Sequence, residues 1–269
     1  MRTRSYRSYL VAATVLSSAF VATPALADCV SQAPVNPEQV VCDAPGTLGW
    51  DGSGTNNIVV TINAGSTVST SPGGPAMIST GTGSAVINFS CNFHGAATPT
   101  VYGINAGSSS NAAISVGGAS TVTNASGAAI LGTVDFGNAT GTNFNVLNNN
   151  YSSSGGANRI GLIDGDVSAI GNFTFNNQGF MGWSDSVGVT QTGAGTVTIH
   201  NGIDGGYATS VNGVYDYQNA FIWNSGSTAI STVGNTTLVN HGGGNAMGSL
   251  INGDVILGTG GTGTSSLTN

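Results

Sequence analysis

Val197-Thr198-Ile199-His200-Asn201-Gly202 is the stretch on which the fold turns. Val197 and Ile199 alternate with Thr198 and His200, the period of a half-buried β-strand, and the strand runs into an Asn-Gly turn signal. The phrase returns along the chain. Aligned on its Asn, copies end at Asn88, Asn124, Asn148, Asn177, Asn201, Asn240 and Asn269. Two residues earlier stand Val86, Val122, Val146, Phe175, Ile199, Leu238 and Leu267, all apolar. Four residues earlier stand Ser84, Ser120, Phe144, Phe173, Val197, Thr236 and Ser265, apolar or small and on the same side of a strand. The Asn positions are 36, 24, 29, 24, 39 and 29 residues apart. One such strand in every 25 or so residues is the signature of stacked coils.

Two further echoes describe the remainder of each coil. Ile163-Asp164-Gly165-Asp166-Val167 returns as Ile251-Asn252-Gly253-Asp254-Val255, and Ala129-Ile130-Leu131-Gly132 comes after its Asn in a similar place. We assign them to a second face. Turn chemistry succeeds the repeated Asn, as in Asn124-Ala125-Ser126-Gly127 and Asn177-Gln178-Gly179. Asn side chains stacked at one corner can also hydrogen-bond from rung to rung. No helical periodicity of useful length is present, and 43 Gly argue against helix. The expected fold is therefore all-β, a right-handed parallel β-helix with loop insertions, eight or nine coils forming a rod about 40 Å long. A β-sandwich is the alternative.

The N-terminus is a different kind of segment. Residues 1–27 place Arg2, Arg4 and Arg7 before the apolar run Leu10 to Val21 and end at Ala25-Leu26-Ala27, the anatomy of a secretory signal peptide. No later stretch reaches the roughly 20 apolar residues of a membrane-spanning helix. Beyond the leader the chain carries one Arg (Arg159), no Lys and all eleven acids, a formal charge of −10. Such a surface repels phosphate backbones and speaks against nucleic-acid binding. In an oxidising compartment Cys29 and Cys42 read as a small disulfide loop, leaving Cys91 as a lone thiol. Residues 28–57 are then a disulfide-looped cap and residues 58–269 the coils, beginning at Ile58 to Val68. Phe89 to Thr100, with Cys91, His94 and Pro99, fits no rung and is expected to loop outward.

Together, the leader, the Cys29 and Cys42 pair, the strand Val60-Thr61-Ile62-Asn63-Ala64-Gly65-Ser66-Thr67-Val68 and the repeated strand-Asn-Gly coil resemble the N-terminal passenger region of a bacterial autotransporter. The resemblance covers nearly everything after the leader. It implies export through an outer-membrane β-barrel translocator as partner and display at the surface of, or release from, a Gram-negative cell. The chain departs from that pattern in having no barrel of its own, which would need many tilted strands of about 9 to 11 residues. Leu250 to Asn269 starts a coil and stops at its Asn, so the expectation is a truncated or orphan passenger.

Chemistry is sparse. Glu38 is the single Glu, so paired-Glu and H-E-x-x-H catalysis are absent, and without Lys there is no P-loop or Schiff base. No G-x-S-x-G elbow occurs, and nothing local selects His94, His200 or His241 as a catalytic base. The enzymatic alternative is a polysaccharide-active, pectate-lyase-like β-helix, in which Arg159 would serve as base near Asp164 and Asp166. One D-G-D is too little for a Ca²⁺ cage, so no metal or other cofactor is expected. His200 falls in the outward register of its strand and His241 in a turn. Within the longest interval, Tyr207, Tyr215, Tyr217, Phe221 and Trp223 form a candidate contact loop for carbohydrate or a cell-surface protein, with filling the end of the β-helix core as the equal alternative. The favoured reading is a non-enzymatic surface rod or adhesin.

Overall fold

A computed structural model describes residues 29–32, 37–90, 102–152, 159–182, 186–202, 220–241, 249–260 and 263–269. The leader expected at residues 1–27, Cys91, His94, Tyr207, Tyr215 and Tyr217 lie outside the described residues. Everything described is strand or turn, wound into a parallel β-helix of three faces.

The first face is a ten-stranded sheet. Its outermost strand, Val30–Gln32, runs antiparallel to Glu38–Cys42. The others pair parallel, each with its equivalent one coil later: Glu38–Cys42, Ile58–Ile62, Ala85–Asn88, Thr121–Asn124, Asn145–Asn149, Phe173–Asn177, Thr196–Asn201, Asn235–Asn240 and Ser266–Thr268. The second face carries Thr47–Leu48, Val68–Thr70, Ile104–Asn105, Ala129–Leu131, Leu162–Asp164 and Phe180–Met181. The third carries Trp50–Gly52, Ile78–Thr80, Ala112–Val116, Thr133–Ala139, Val167–Gly171 and Val189–Thr192. Phe221–Thr232 and Leu250–Ile256 each run through both. Parallel pairing across all three faces excludes a sandwich, whose sheets are antiparallel.

The core is a set of columns along the bore. Val60, Val86, Val122, Leu147, Phe175, Ile199 and Leu238 form one on the first face, all fully buried. Ile104, Ile130, Ile163, Met181 and Ile222 supply the second face, and Ile78, Ile114, Val134, Val167, Val189 and Ile230 the third. Phe173 lies 5.7 Å from Phe136 and 6.3 Å from Phe175, ring centre to ring centre, so aromatic rings concentrate at this level of the bore.

Three sequence expectations are corrected. The copy of the repeat expected at Asn148 ends at Asn149: Val122 pairs with Leu147 and Asn124 with Asn149, so Val146 and Phe144 are half-buried while Leu147 and Asn145 point inward. Val146-Leu147 and Asn148-Asn149-Asn150 satisfy the apolar-x-Asn phrase in both registers. The register that seats the larger Leu in the bore and an Asn in line with Asn124 and Asn177 prevails, and a slip of one residue inverts every side chain. The coils also begin earlier than Ile58, since Glu38–Cys42 already pairs in register with Ile58–Ile62; only the Val30–Gln32 strand caps the stack. Finally, the Ile163–Val167 echo straddles a corner. Ile163 belongs to the second face and Val167 to the third, with Gly165 turning between them. A side chain at Gly165 would collide with the carbonyl oxygen of Gly132 in the neighbouring coil.

The Cys29–Cys42 disulfide forms as expected and ties the capping strand to the first core coil. Both cysteines are buried.

Candidate functional site

One corner of the rod, where the first face turns into the second, collects most of the chain's distinctive chemistry. It is built on the repeated Asn. Asn88 Nδ2 donates to Asn124 Oδ1 (3.0 Å), Asn124 to Asn149 (2.9 Å), Asn149 to Asn177 (2.9 Å), Asn177 to Asn201 (2.8 Å) and Asn201 to Asn240 (2.8 Å); Asn240 continues to Asn269. Amides of the ladder also donate across the corner to second-face backbone carbonyls, as Asn124 does to Leu162 (3.0 Å) and Asn149 to Phe180 (3.1 Å). Asn88, Asn124, Asn149, Asn177 and Asn201 are completely buried. A buried amide is tolerated only when satisfied, and one Asn per coil satisfies its neighbour. None of these Asn residues needs a left-handed backbone; positive φ in the adjoining turns falls to glycines such as Gly127 (78°) and Gly202 (104°).

The longest stretches between faces also begin at this corner. After Asn88 the next second-face strand starts at Ile104; after Asn149, at Leu162; after Asn201, at Phe221; after Asn240, at Leu250. After Asn124 and Asn177 the turn is short, to Ala129 and Phe180. Most of the spread of intervals in the sequence arises at this corner. One insertion folds into a small antiparallel hairpin, Tyr151–Ser152 with Arg159–Ile160. Its Ile160 packs with Ala129, Leu162 and Phe180 into a satellite core outside the bore, against which Tyr102, Tyr151 and Phe221 rest.

The candidate contact residues divide on this geometry. Phe221 and Trp223 are not in a loop: they begin a strand of the second face, side by side on its outer surface. Phe221 meets Phe180 edge-on at 4.8 Å between ring centres, whereas Trp223 is 42% exposed. The acids nearest in sequence to Arg159 stand on different parts of the coil. Arg159 pairs through its backbone with Ser152 in the hairpin, Asp164 is buried in the second face, and Asp166 is exposed at the next corner, accepting from the Gly188 amide (2.7 Å). Another carboxylate, Asp135, takes hydroxyl donors from Thr133 (2.8 Å) and Ser168 (2.5 Å) on the third face. Among the described residues no three of His, Cys, Asp and Glu converge in a way that would hold a metal ion.

The contact that sequence reading missed is between two histidines 41 residues apart. His200, outward on its strand, and His241, just beyond the Asn240 strand end, approach with Nδ1 of the first 3.2 Å from Nε2 of the second. The ring planes are 18° apart and the ring centres 5.4 Å apart. That separation is nearly the largest a 3.2 Å nitrogen pair allows, so the nitrogens point at each other end to end. One ring donates and the other accepts, which requires a single proton between them. Burial, and secondarily the neighbouring His241, hold the His200 imidazole below its ordinary 6.5. The signal available in the sequence was the interval itself: Asn201 to Asn240 is one coil, so the residue before one Asn and the residue after the next share a corner. No family model matches the chain, and neither a curated protein nor a solved structure matches it.

Proposed function

We propose that the chain is a non-enzymatic surface rod, displayed on or released from a Gram-negative cell in the manner of an autotransporter passenger, and that it works by contact, as an adhesin or spacer. The observation that supports this reading is the placement of the insertions. A β-helix repeats the same three strands in every coil, and here the three longest stretches between one face and the next, after Asn88, Asn149 and Asn201, all begin at a ladder Asn. Tyr207, Tyr215 and Tyr217 belong by sequence to the longest of them, and the exposed Trp223 stands directly after it. Extra length in a stacked fold serves no packing need of the bore, and segments ranged along one ridge provide a surface for carbohydrate or another protein. The charge of −10 keeps such rods from associating through nonspecific attraction.

The experiment is to fuse residues 28–269 to an outer-membrane barrel on a non-adherent host and measure attachment to carbohydrate-coated and protein-coated surfaces. Attachment is expected, and Trp223→Ala is expected to weaken it by roughly tenfold, the loss of about 1–2 kcal/mol from an aromatic anchor. Uronate release that disappears in Arg159→Ala would replace this reading with a polysaccharide lyase.

A further inference from the structure

We propose that His200 and His241 form a two-histidine chelate for a borderline-soft divalent cation such as Zn²⁺, with the remaining positions taken by water. The separation of the facing nitrogens, 3.2 Å, is the decisive observation. With Zn–N bonds of about 2.0–2.1 Å and a tetrahedral angle, two imidazole nitrogens on one ion stand roughly 3.3–3.4 Å apart. The pair therefore already stands close to the spacing that chelation needs; what changes is ring orientation, from lone pair facing N–H to two lone pairs converging on a point beside the pair. His200 is anchored in a nine-strand parallel array and His241 is tied by its amide to the Asn201 carbonyl (2.8 Å), so the two Cα positions are fixed. Both side chains are half-buried at the rim.

Proton balance is simple. In the ion-free pair one facing nitrogen carries the proton; on binding, that ring shifts its proton to its outer nitrogen and both facing nitrogens become ligands, with no net release from neutral imidazoles. The same corner holds an unpartnered hydroxyl. Ser249 Oγ is buried without a hydrogen-bond partner among the described residues and sits over Gly202, 2.3 Å from where a Cβ would stand, with His241 Cβ at 3.0 Å from the same point. Asn176, the neighbour of His200 in the adjacent strand, spends its Nδ2 on Asn148 (2.9 Å), which leaves its oxygen out of that bond.

The test is calorimetric titration of the purified, metal-stripped protein with Zn²⁺ at neutral pH, alongside His200→Gln, His241→Gln and His94→Gln. One site per chain is expected, weakened at least about tenfold by either His200→Gln or His241→Gln and unchanged by His94→Gln. In wild-type NMR spectra the Cε1–H signals of His200 and His241 are expected to move together on addition of Zn²⁺, a readout that survives if a variant folds poorly. No saturable binding, binding insensitive to both substitutions, loss with only one of them, or movement of one histidine signal without the other would overturn the proposal. These outcomes are independent of whether the rod is adhesive, since no surface or sugar enters the titration.

Discussion

At the scale of single residues, the fold assigns opposite fates to neighbouring polar side chains. Asn149 is sealed in the corner with three hydrogen-bonded neighbours, while Asn148, one residue earlier, lies on the outer surface bridging Asn176 and Thr123. The histidine pair is the other residue-level device, and its behaviour with pH comes from its geometry. Because the folded chain holds the His200 imidazole below 6.5, the unfolded chain takes up a proton first as the solution is acidified. The contribution of His200 is therefore complete above 6.5 and is lost as pH falls from there through the lowered folded value. Denaturant midpoints measured with a chelator present should be level between about pH 8 and pH 7 and then decline below about 6.5, with a shallower decline in His200→Gln. An identical profile in the variant would show that His200 has no part in the acid response.

Individual elements show how far the amino-acid sequence could be read. The period-2 phrase at Thr196–Asn201 identifies a strand, and its return in parallel register identifies the coil, because each copy is fully determined by alternation and a terminal Asn. Asn145–Asn149 is not determined in this way: Phe144 and Val146 make alternation favour the register ending at Asn148, and the buried ladder across coils overrides it. Glu38–Cys42 is hidden for another reason. Glu38 occupies the column of Ile58, where a charge disguises the pattern, and it is accommodated because the column ends there and Ser31 Oγ donates to its carboxylate (2.7 Å). The histidine contact needs two coils at once and is invisible to any local window. The capping strand carries its own prediction. Its disulfide closes a loop of separation 13, worth about 3 kcal/mol by loop entropy. Cys29→Ser with Cys42→Ser should lower stability by about 2–4 kcal/mol and raise amide exchange chiefly in Val30–Gln32 and Glu38–Cys42, whereas uniform exchange throughout the rod would mean the cap does not act locally.

For the molecule as a whole, apolar columns and the Asn ladder divide the labour. The columns drive the coils together without direction, through burial of Val, Ile, Leu and Phe side chains. The ladder specifies which coil faces which, since an unpaired buried amide costs about 1–3 kcal/mol and a one-residue slip would strand several at once. The longest stretches between faces begin at that same corner, and the histidine pair stands there too. Whether parallel coils are held in register by buried Asn side chains can be read from hydrogen exchange of ¹⁵N-labelled Asn side-chain amides. Slow exchange is expected at Asn88, Asn124, Asn149, Asn177 and Asn201, and rapid exchange at Asn148 and Asn176. Protection at Asn148 with rapid exchange at Asn149, or rapid exchange at all seven, would rule out the buried ladder as the source of register.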